Sequence, residues 1–358
     1  MRVMLAGGGT GGHVYPGIAL AREFQRQASA TEILFVGTEK GLESRLLPRE
    51  GFRLGTVRVR GLIGKGWASG ILTLLRLPVA CWDAARLLLS FKPDLIVGSG
   101  GYASGPVILM AWMMRRKIVL LETNLVPGLT NRCLAPLADL IALAWEGSKV
   151  HLSGKAIRLF GCPIRRELIA EGLSSSSPSG KTLLLLGGSQ GAHAMNSAML
   201  EAVDHFGLFK DEIKIIHQTG PRDYESVREA YTKKGVQARV EPFIEDMRTV
   251  YQQATLVISR AGATTLAEIT ACGKPAILIP FPHAAGGHQE QNARALEAVE
   301  AVLVIRQDDL SGPFLAQLIL DLLMDPVRLE RMGKASRQLG RPDAAEKIVD
   351  ACLELVRG

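Results

Sequence analysis

The sequence predicts an α/β chain built from two doubly wound parallel sheets, and three observations predict it. Short apolar runs rich in Val, Ile and Leu recur along the 358 residues and alternate with helical stretches. The runs do not alternate apolar with polar residues, so each suits a strand buried on both faces, as in a parallel sheet covered by helices. The run Val3-Met4-Leu5-Ala6-Gly7-Gly8 is echoed by Leu183-Leu184-Leu185-Leu186-Gly187-Gly188-Ser189-Gln190-Gly191, so a first strand followed by a glycine-rich turn occurs twice. A chain of this length suits two domains.

Strands are expected in the first half at 3–6, 33–36, 94–98, 118–121, 139–142 and 157–160. In the second half they are expected at 182–186, 213–218, 256–259, 276–279 and 301–305. Gly161-Cys162-Pro163 ends the last first-half strand with a turn signal, and a polar loop from Ser174 to Gly180 precedes the next strand. The first domain is therefore read as residues 1–163 and the second as 164–340. A final helix spans 341–358, with Ile348, Ala351, Cys352 and Leu355 at helical spacing, an apolar face suited to packing back on the first domain.

The first strand runs into Gly7-Gly8-Gly9-Thr10-Gly11-Gly12-His13, and a helical pattern follows. Strand, glycine turn and helix form a backbone anion cradle, because glycine lets the main chain approach a phosphate and the first-turn amides point at it. A tight turn without a ligand is the plainer alternative. Gly7-x-Gly9-x-x-Gly12 also fits a dinucleotide fingerprint, but the second strand ends in Gly37 where such a site wants an acidic residue. The expectation is a phosphate site that does not bind NAD. His13 opens a helix whose dipole disfavours imidazolium, so it should be neutral and able to act as a general base. A role limited to hydrogen bonding stays open. Gly98–Pro106 and Glu122-Thr123-Asn124 follow later strands and should surround the opening loop.

Composition narrows the partners. Through residue 163 there are 20 basic against 10 acidic side chains, and beyond it 22 against 25. A basic first half points to an anionic partner. Two stretches, Leu62–Leu89 with Gly61, Gly64, Lys65, Gly66 and Gly70 at its start, and Ile108–Met114 followed by Arg115-Arg116-Lys117, combine apolar residues and Trp with cations. They suit a surface that dips into anionic lipid, with core helices as the alternative. Aromatics are 5% of the chain and no aromatic-interleaved basic stripe is visible, which argues against nucleic acid. No apolar run is long enough to cross a bilayer. The glycine loop follows Met1 so closely that no signal peptide is expected, and five scattered cysteines without redox or metal spacing suit reduced thiols in a cytoplasm.

In the second half, Ser259-Arg260-Ala261-Gly262-Ala263-Thr264-Thr265-Leu266-Ala267-Glu268 follows a strand and opens a helix. Its amides and the Thr264 and Thr265 hydroxyls could hold a diphosphate, and Glu268 could accept from both ribose hydroxyls. The alternative is that Thr265 and Glu268 form a capping box. Pro280–Ala293 follows the next strand, and Gln289 and Asn292 share a helix face, where amides suit sugar hydroxyls. His283 and His288 have no carboxylate cluster with them, so no metal is expected. No Gly-x-Ser-x-Gly elbow or Lys-containing P-loop is present, against hydrolase and kinase readings.

Together, Gly8–Gly17, Gly98–Tyr102, Glu122–Asn124 with Gly128–Asn131, Gly187–Ala192, Arg260–Glu268 and His288–Ala293 resemble the MurG family of peptidoglycan glycosyltransferases. The motifs occur in the family's order from residue 1 to residue 340; Thr123 stands where the family often has Gln. The resemblance implies a GT-B fold, two Rossmann-like domains with a cleft, and no cofactor. It implies transfer of N-acetylglucosamine from its UDP form to the C4 hydroxyl of lipid I, an undecaprenyl-pyrophosphoryl muramoyl-pentapeptide, giving lipid II by inversion. It implies a peripheral enzyme at the cytoplasmic face of the inner membrane. By motif, His13 would be the base, Thr10, Gly11 and Gly12 would line the cleft, and Asn124 would reach the sugar. Arg165 and Ser189 would approach the diphosphate or nucleotide, and the Ile244 backbone would meet uracil. Ala263, Thr264, Thr265 and Leu266 would hold phosphates, Glu268 the ribose, and Gln289 and Asn292 the sugar hydroxyls. The alternatives are another UDP-sugar enzyme on this fold, an epimerase or a glycolipid synthase, differing around residues 60–120, or a non-catalytic membrane scaffold.

Overall fold

The computed structural model describes residues 1–59, 67–168 and 180–357, with backbone only for 67–76 and 285. Gly61, Gly64, Lys65 and Gly66 lie outside the described residues, as do Ser174–Ser179 and the side chains of Ile71, Leu72, Leu74, Leu75 and Arg76. The chain divides into two compact units, Met1–Arg165 with Arg341–Gly358, and Arg166–Gly340. The division falls two residues beyond Pro163, so Arg165, expected in the second domain, belongs to the first unit.

The first unit opens with β1 (Arg2–Gly7), α1 (Gly11–Gln27), β2 (Glu32–Gly37), α2 (Glu43–Arg49), β3 (Arg53–Thr56) and α3 (Trp67–Phe91). β4 (Leu95–Gly100), α4 (Ser104–Met113), β5 (Lys117–Glu122), α5 (Leu129–Leu134), β6 (Leu140–Leu143) and β7 (Ile157–Leu159) follow. The seven strands are parallel in the order β3-β2-β1-β4-β5-β6-β7. Alternate residues of β1 serve opposite faces: Val3 and Leu5 join the core with Ile18 and Phe24, Met4 and Ala6 the core with Leu88 and Val107. That is the two-faced burial that the unbroken apolar runs require.

The second unit begins with β8 (Lys181–Leu186), α6 (His193–Ala202), β9 (Ile213–Gln218), α7 (Tyr224–Lys233), β10 (Ala238–Glu241) and α8 (Met247–Gln253). It continues through β11 (Leu256–Ser259), α9 (Ala263–Cys272), β12 (Ala276–Leu278), α10 (His288–Glu297), β13 (Val302–Val304), α11 (Gly312–Leu323) and α12 (Pro326–Leu339). Its six parallel strands run β10-β9-β8-β11-β12-β13. Leu183, Leu185 and Ile258 pack with Met195, Met199 and Ile319 on one face, while Leu184, Leu186 and Val257 are buried on the other. The last helix, α13 (Ala344–Arg357), belongs to the first unit. Its Ile348, Val349 and Cys352 are in the β1–α1 core, and Glu346 lies 3.7 Å from Arg26 of α1.

Two strands escaped the pattern of apolar runs, β3 and β10. Both sit at a sheet edge and carry charged residues, because an edge strand needs only one neighbour and keeps water on its flank.

Candidate functional site

In an open parallel sheet, ligands bind beyond the carboxyl ends of the strands where the strand order reverses. In the first unit that place lies between β1 and β4, and the opening loop and the Gly100–Ala103 turn both emerge there. Thr10 is the N-cap of α1 in extended backbone, with no cap bond from its side chain. His13 is the third helical residue, and its amide and that of Val14 donate to the Thr10 carbonyl. The imidazole lies against the second loop: a Cβ on Gly100 would sit 3.1 Å from His13 Cε1. Ser99 Oγ donates to the His13 carbonyl at 3.1 Å, so β4 holds the start of α1 in place.

The glycines of the opening loop have two different reasons. A Cβ on Gly7 would overlap Ser99 Oγ and one on Gly8 the Glu43 carboxylate, so these two make room for neighbours. Gly9 has φ 90° with open space around it, and Gly12 is nearly as open. The Gly9 amide, however, donates to Glu43 Oε2 at 2.8 Å. The cradle is therefore narrower than the glycine count suggests, and part of it is filled from inside.

The β5–α5 turn is organised by Glu122, which is buried. Its carboxylate accepts from the Asn124 amide at 2.9 Å, the Asn124 side chain at 3.3 Å, the Gly128 amide at 3.1 Å and Asn131 Nδ2 at 2.9 Å. Burial pushes the Glu122 carboxyl above its ordinary range, and the donors to it act in the opposite direction. Ser148 Oγ and the Trp145 indole donate to the carbonyls of Asn124 and Thr123, so the segment that displays Asn124 is fixed from both ends. The Arg165 guanidinium lies 5.9 Å from the Tyr15 ring centre, beside α1.

In the second unit the strand order reverses between β8 and β11. The β8–α6 loop carries Ser189, half-buried, and turns tightly: a Cβ on Gly191 would overlap the Thr219 carbonyl. Behind it is a buried polar chain. Asn196 Nδ2 donates to Thr219 O at 3.0 Å and to Asp223 Oδ2 at 2.8 Å, which turns Asn196 Oδ1 toward His217 Nε2, 3.0 Å away. His217 must then carry its proton on Nε2 and accept from the Tyr231 hydroxyl at Nδ1, 2.9 Å away. Burial lowers the His217 pKa to about 3, against a smaller opposing pull from Asp223.

The α9 N-terminus settles the capping question. The N-cap is Gly262, and Thr265 is already the third helical residue, so Thr265 and Glu268 do not form a capping box. Glu268 is buried and accepts from the Tyr251 hydroxyl at 3.2 Å. Among the described residues Thr264 Oγ1, buried at the second helical position, has no hydrogen-bond partner. Ala263, Leu266 and Ile244 are buried, Ile244 with no exposed surface. Gln289 and Asn292 lie one turn apart at the start of α10; Gln289 Oε1 accepts from the Phe281 amide at 2.9 Å, and Asn292 is fully buried.

Two groups were missed in the sequence. Glu43 is one; three glycines around it, Gly8, Gly37 and Gly41, were the available signal. Arg260 is the other. Its guanidinium donates to the carbonyls of Ile279 and Pro280 and to Gln307 Oε1, and burial lowers its pKa to about 10, so it stays cationic at neutral pH.

The model for the glycosyltransferase family 28 N-terminal domain matches residues 3–143, and that for its C-terminal domain matches residues 182–348. The chain belongs to glycosyltransferase family 28. Relatives in this family include one from Myxococcus xanthus (strain DK1622), 47% identical over 99% of this chain and 93% of its own length. Another, from Syntrophus aciditrophicus (strain SB), is 43% identical over 100% of this chain and 99% of its own length. Both are named UDP-N-acetylglucosamine–N-acetylmuramyl-(pentapeptide) pyrophosphoryl-undecaprenol N-acetylglucosamine transferase. The crystal structure of Acinetobacter baumannii MurG superposes with a TM-score of 0.78 at 29% identity, covering 99% of each chain. The fold is GT-B, two Rossmann-like domains, and the chain is a glycosyltransferase.

Proposed function

We propose that this chain transfers N-acetylglucosamine from UDP-N-acetylglucosamine to the C4 hydroxyl of the muramoyl-pentapeptide of lipid I, forming lipid II. The observation that carries this reading is the full-length likeness to transferases of that name, in a chain whose two sheets each present a glycine turn and a helix N-terminus at the point of strand reversal.

The donor lies in the second unit. The first-turn amides of Ala263, Thr264 and Thr265 and the hydroxyls of Thr264 and Thr265 receive the diphosphate; the Leu266 amide, expected to join them, donates instead to the Gly262 carbonyl at 2.9 Å. Glu268 takes the ribose, the Ile244 backbone the uracil, and Ser189 the nucleotide side of the diphosphate. Gln289 and Asn292 read the sugar hydroxyls. As the glycosidic bond breaks, the leaving diphosphate gathers charge against oriented amides and the nearby Arg260 cation.

The acceptor lies in the first unit, along Thr10, Gly11 and Gly12, while Asn124 reaches the sugar and Arg165, like Ser189, approaches the diphosphate or nucleotide. His13 takes the proton from the acceptor's C4 hydroxyl while that oxygen attacks the anomeric carbon and UDP departs, inverting the centre to a β-1,4 linkage. No metal or cofactor enters this scheme, and no nucleic acid is a partner.

The enzyme meets its lipid substrate as a peripheral protein at the cytoplasmic face of the inner membrane. Among the described residues no helix is long and apolar enough to cross a membrane. The lipid-facing patch is smaller than the sequence suggested, because Ile108 and Ala111 are core residues. What remains is Trp82, Val79 and Leu89 on α3, and Trp112 with Met113 at the end of α4, beside Arg86 and Arg115. Trp82 is 66% and Trp112 50% exposed, which a water-facing surface does not favour and an interfacial one does.

The test is transfer of labelled N-acetylglucosamine from its UDP form to a lipid I analogue. Labelled disaccharide on the lipid is expected; release of the label without lipid product would refute the reading.

A further inference from the structure

We propose that Glu43 is a positioning residue for the transfer reaction: it braces the opening loop against the β2–α2 loop and thereby sets where His13 stands. The proposal rests on the functional reading above, in which His13 meets the acceptor hydroxyl.

Glu43 is the first residue of α2 and has no exposed surface. A buried carboxylate is costly unless its oxygens are satisfied. Here they are satisfied by two separate loops. Oε2 accepts from the Gly9 amide at 2.8 Å, and Oε1 accepts from both the amide and the hydroxyl of Thr38, each at 2.8 Å. Oε2 therefore holds the loop that opens α1, and Oε1 holds the loop that follows β2. These strands are neighbours in the sheet, so the carboxylate ties the ends of adjacent strands together.

The surrounding chain is built to admit this side chain. A Cβ at Gly8, Gly37 or Gly41 would overlap Glu43, and these three glycines come from both loops that it joins. Glu43 and His13 also line the same small cavity, of about 10 Å³, together with Gly7 and Ser99. A shift of the carboxylate therefore changes a cavity that His13 also lines. Among the described residues the carboxylate accepts from its two loops, although it stands near the place where a dinucleotide-binding sheet carries its acid. It has been turned inward to hold backbone.

The discriminating substitution is Glu43→Gln. It keeps the volume and the acceptor for Thr38, but presents an NH₂ group to the Gly9 N–H, so the bond to the opening loop is lost and the other is kept. Misplacing a catalytic group by about 1 Å can lower turnover by about 100-fold. With the full chain, UDP-N-acetylglucosamine and a lipid I analogue, E43Q should lower kcat by about 10- to 100-fold. UDP affinity by calorimetry, which in this reading is set chiefly by the second unit, should stay within about twofold. Amide hydrogen exchange in residues 7–12 should quicken in E43Q and stay unchanged in the second unit. A Thr38→Val variant, which removes one hydroxyl bond and leaves the Gly9 bond, should lower kcat by less than E43Q does. A folded E43Q with wild-type kcat and wild-type exchange at 7–12 would overturn the brace. If E43Q does not fold, a Gly8→Ala variant presses on the same carboxylate, and wild-type kcat there would overturn it equally. A wild-type chain that transfers nothing would refute the functional reading instead, while the exchange measurement would still test the brace.

Discussion

Acidification should loosen the second unit through His217, and the size of the effect follows from its surroundings. The imidazole has 1% of its surface exposed, donates from Nε2 to Asn196 and accepts at Nδ1 from Tyr231. Tyr231 is itself buried, which raises its phenol pKa, so it remains a donor throughout the accessible range. The charged group on this chain of bonds is Asp223, held low despite burial by its hydrogen bonds from the exposed His193 and from Asn196. The folded pKa of His217 is about 3 and the ordinary value 6.5. Between those limits the unfolded chain binds the proton and the folded chain does not. Stability therefore rises with pH through this window, is complete above the unfolded value, and stops falling below the folded one. A pKa unit corresponds to about 1.4 kcal/mol, so lowering the pH from 6.5 to 5 costs about 2 kcal/mol, and the whole window about 5 kcal/mol. His217→Gln keeps one acceptor for Tyr231 and one donor for Asn196 without a titrating proton. Urea denaturation followed by circular dichroism, at steps from pH 7.5 to 4.5, would compare the two proteins. The gap between them should narrow or reverse in favour of the variant by about 2 kcal/mol as the pH falls to 5. A gap independent of pH would refute the assignment of a buried neutral imidazole.

Other perturbations separate the roles proposed for individual groups. His13→Ala should lower kcat by about 10²- to 10⁴-fold with little change in donor KM, checked by steady-state transfer kinetics; an unchanged kcat would leave His13 a structural residue. Glu268→Ala should raise donor KM and weaken uridine binding by about 10-fold or more, because two charge-assisted bonds to the ribose are lost; calorimetry with UDP would expose the error if affinity did not move. Replacing Trp82 and Trp112 together by Glu should weaken binding to anionic-lipid vesicles. Added salt should weaken wild-type binding as well, and binding insensitive to both would count against the interfacial patch.

Much of the architecture is visible in the sequence because each buried parallel strand writes itself as an apolar run. The two strands that escaped, β3 and β10, are short edge strands with Arg53, Arg239 and Glu241, where burial no longer demands apolar residues. The glycine turns were equally legible as turns, but not what each glycine accommodates. Gly8 looked like room for a phosphate and is room for Glu43, a partner 35 positions away whose arrival only the fold dictates. Thr265 and Glu268 matched a capping box by spacing, yet the helix starts at Ala263, and no local rule fixes that register against the strand before it. Ile108 and Ala111 looked like lipid anchors because periodicity gives a helix its faces without saying which one the sheet covers. Arg165 lay so close to the domain boundary that a shift of two residues changed its unit.

In the proposed reaction the start of α9 grips the donor's diphosphate. Crystals of the full chain soaked with UDP test that directly. Density for the diphosphate beside residues 262–268, with the ribose at Glu268, is the predicted result. Density on residues 7–13 of the first unit, with nothing at α9, would contradict it.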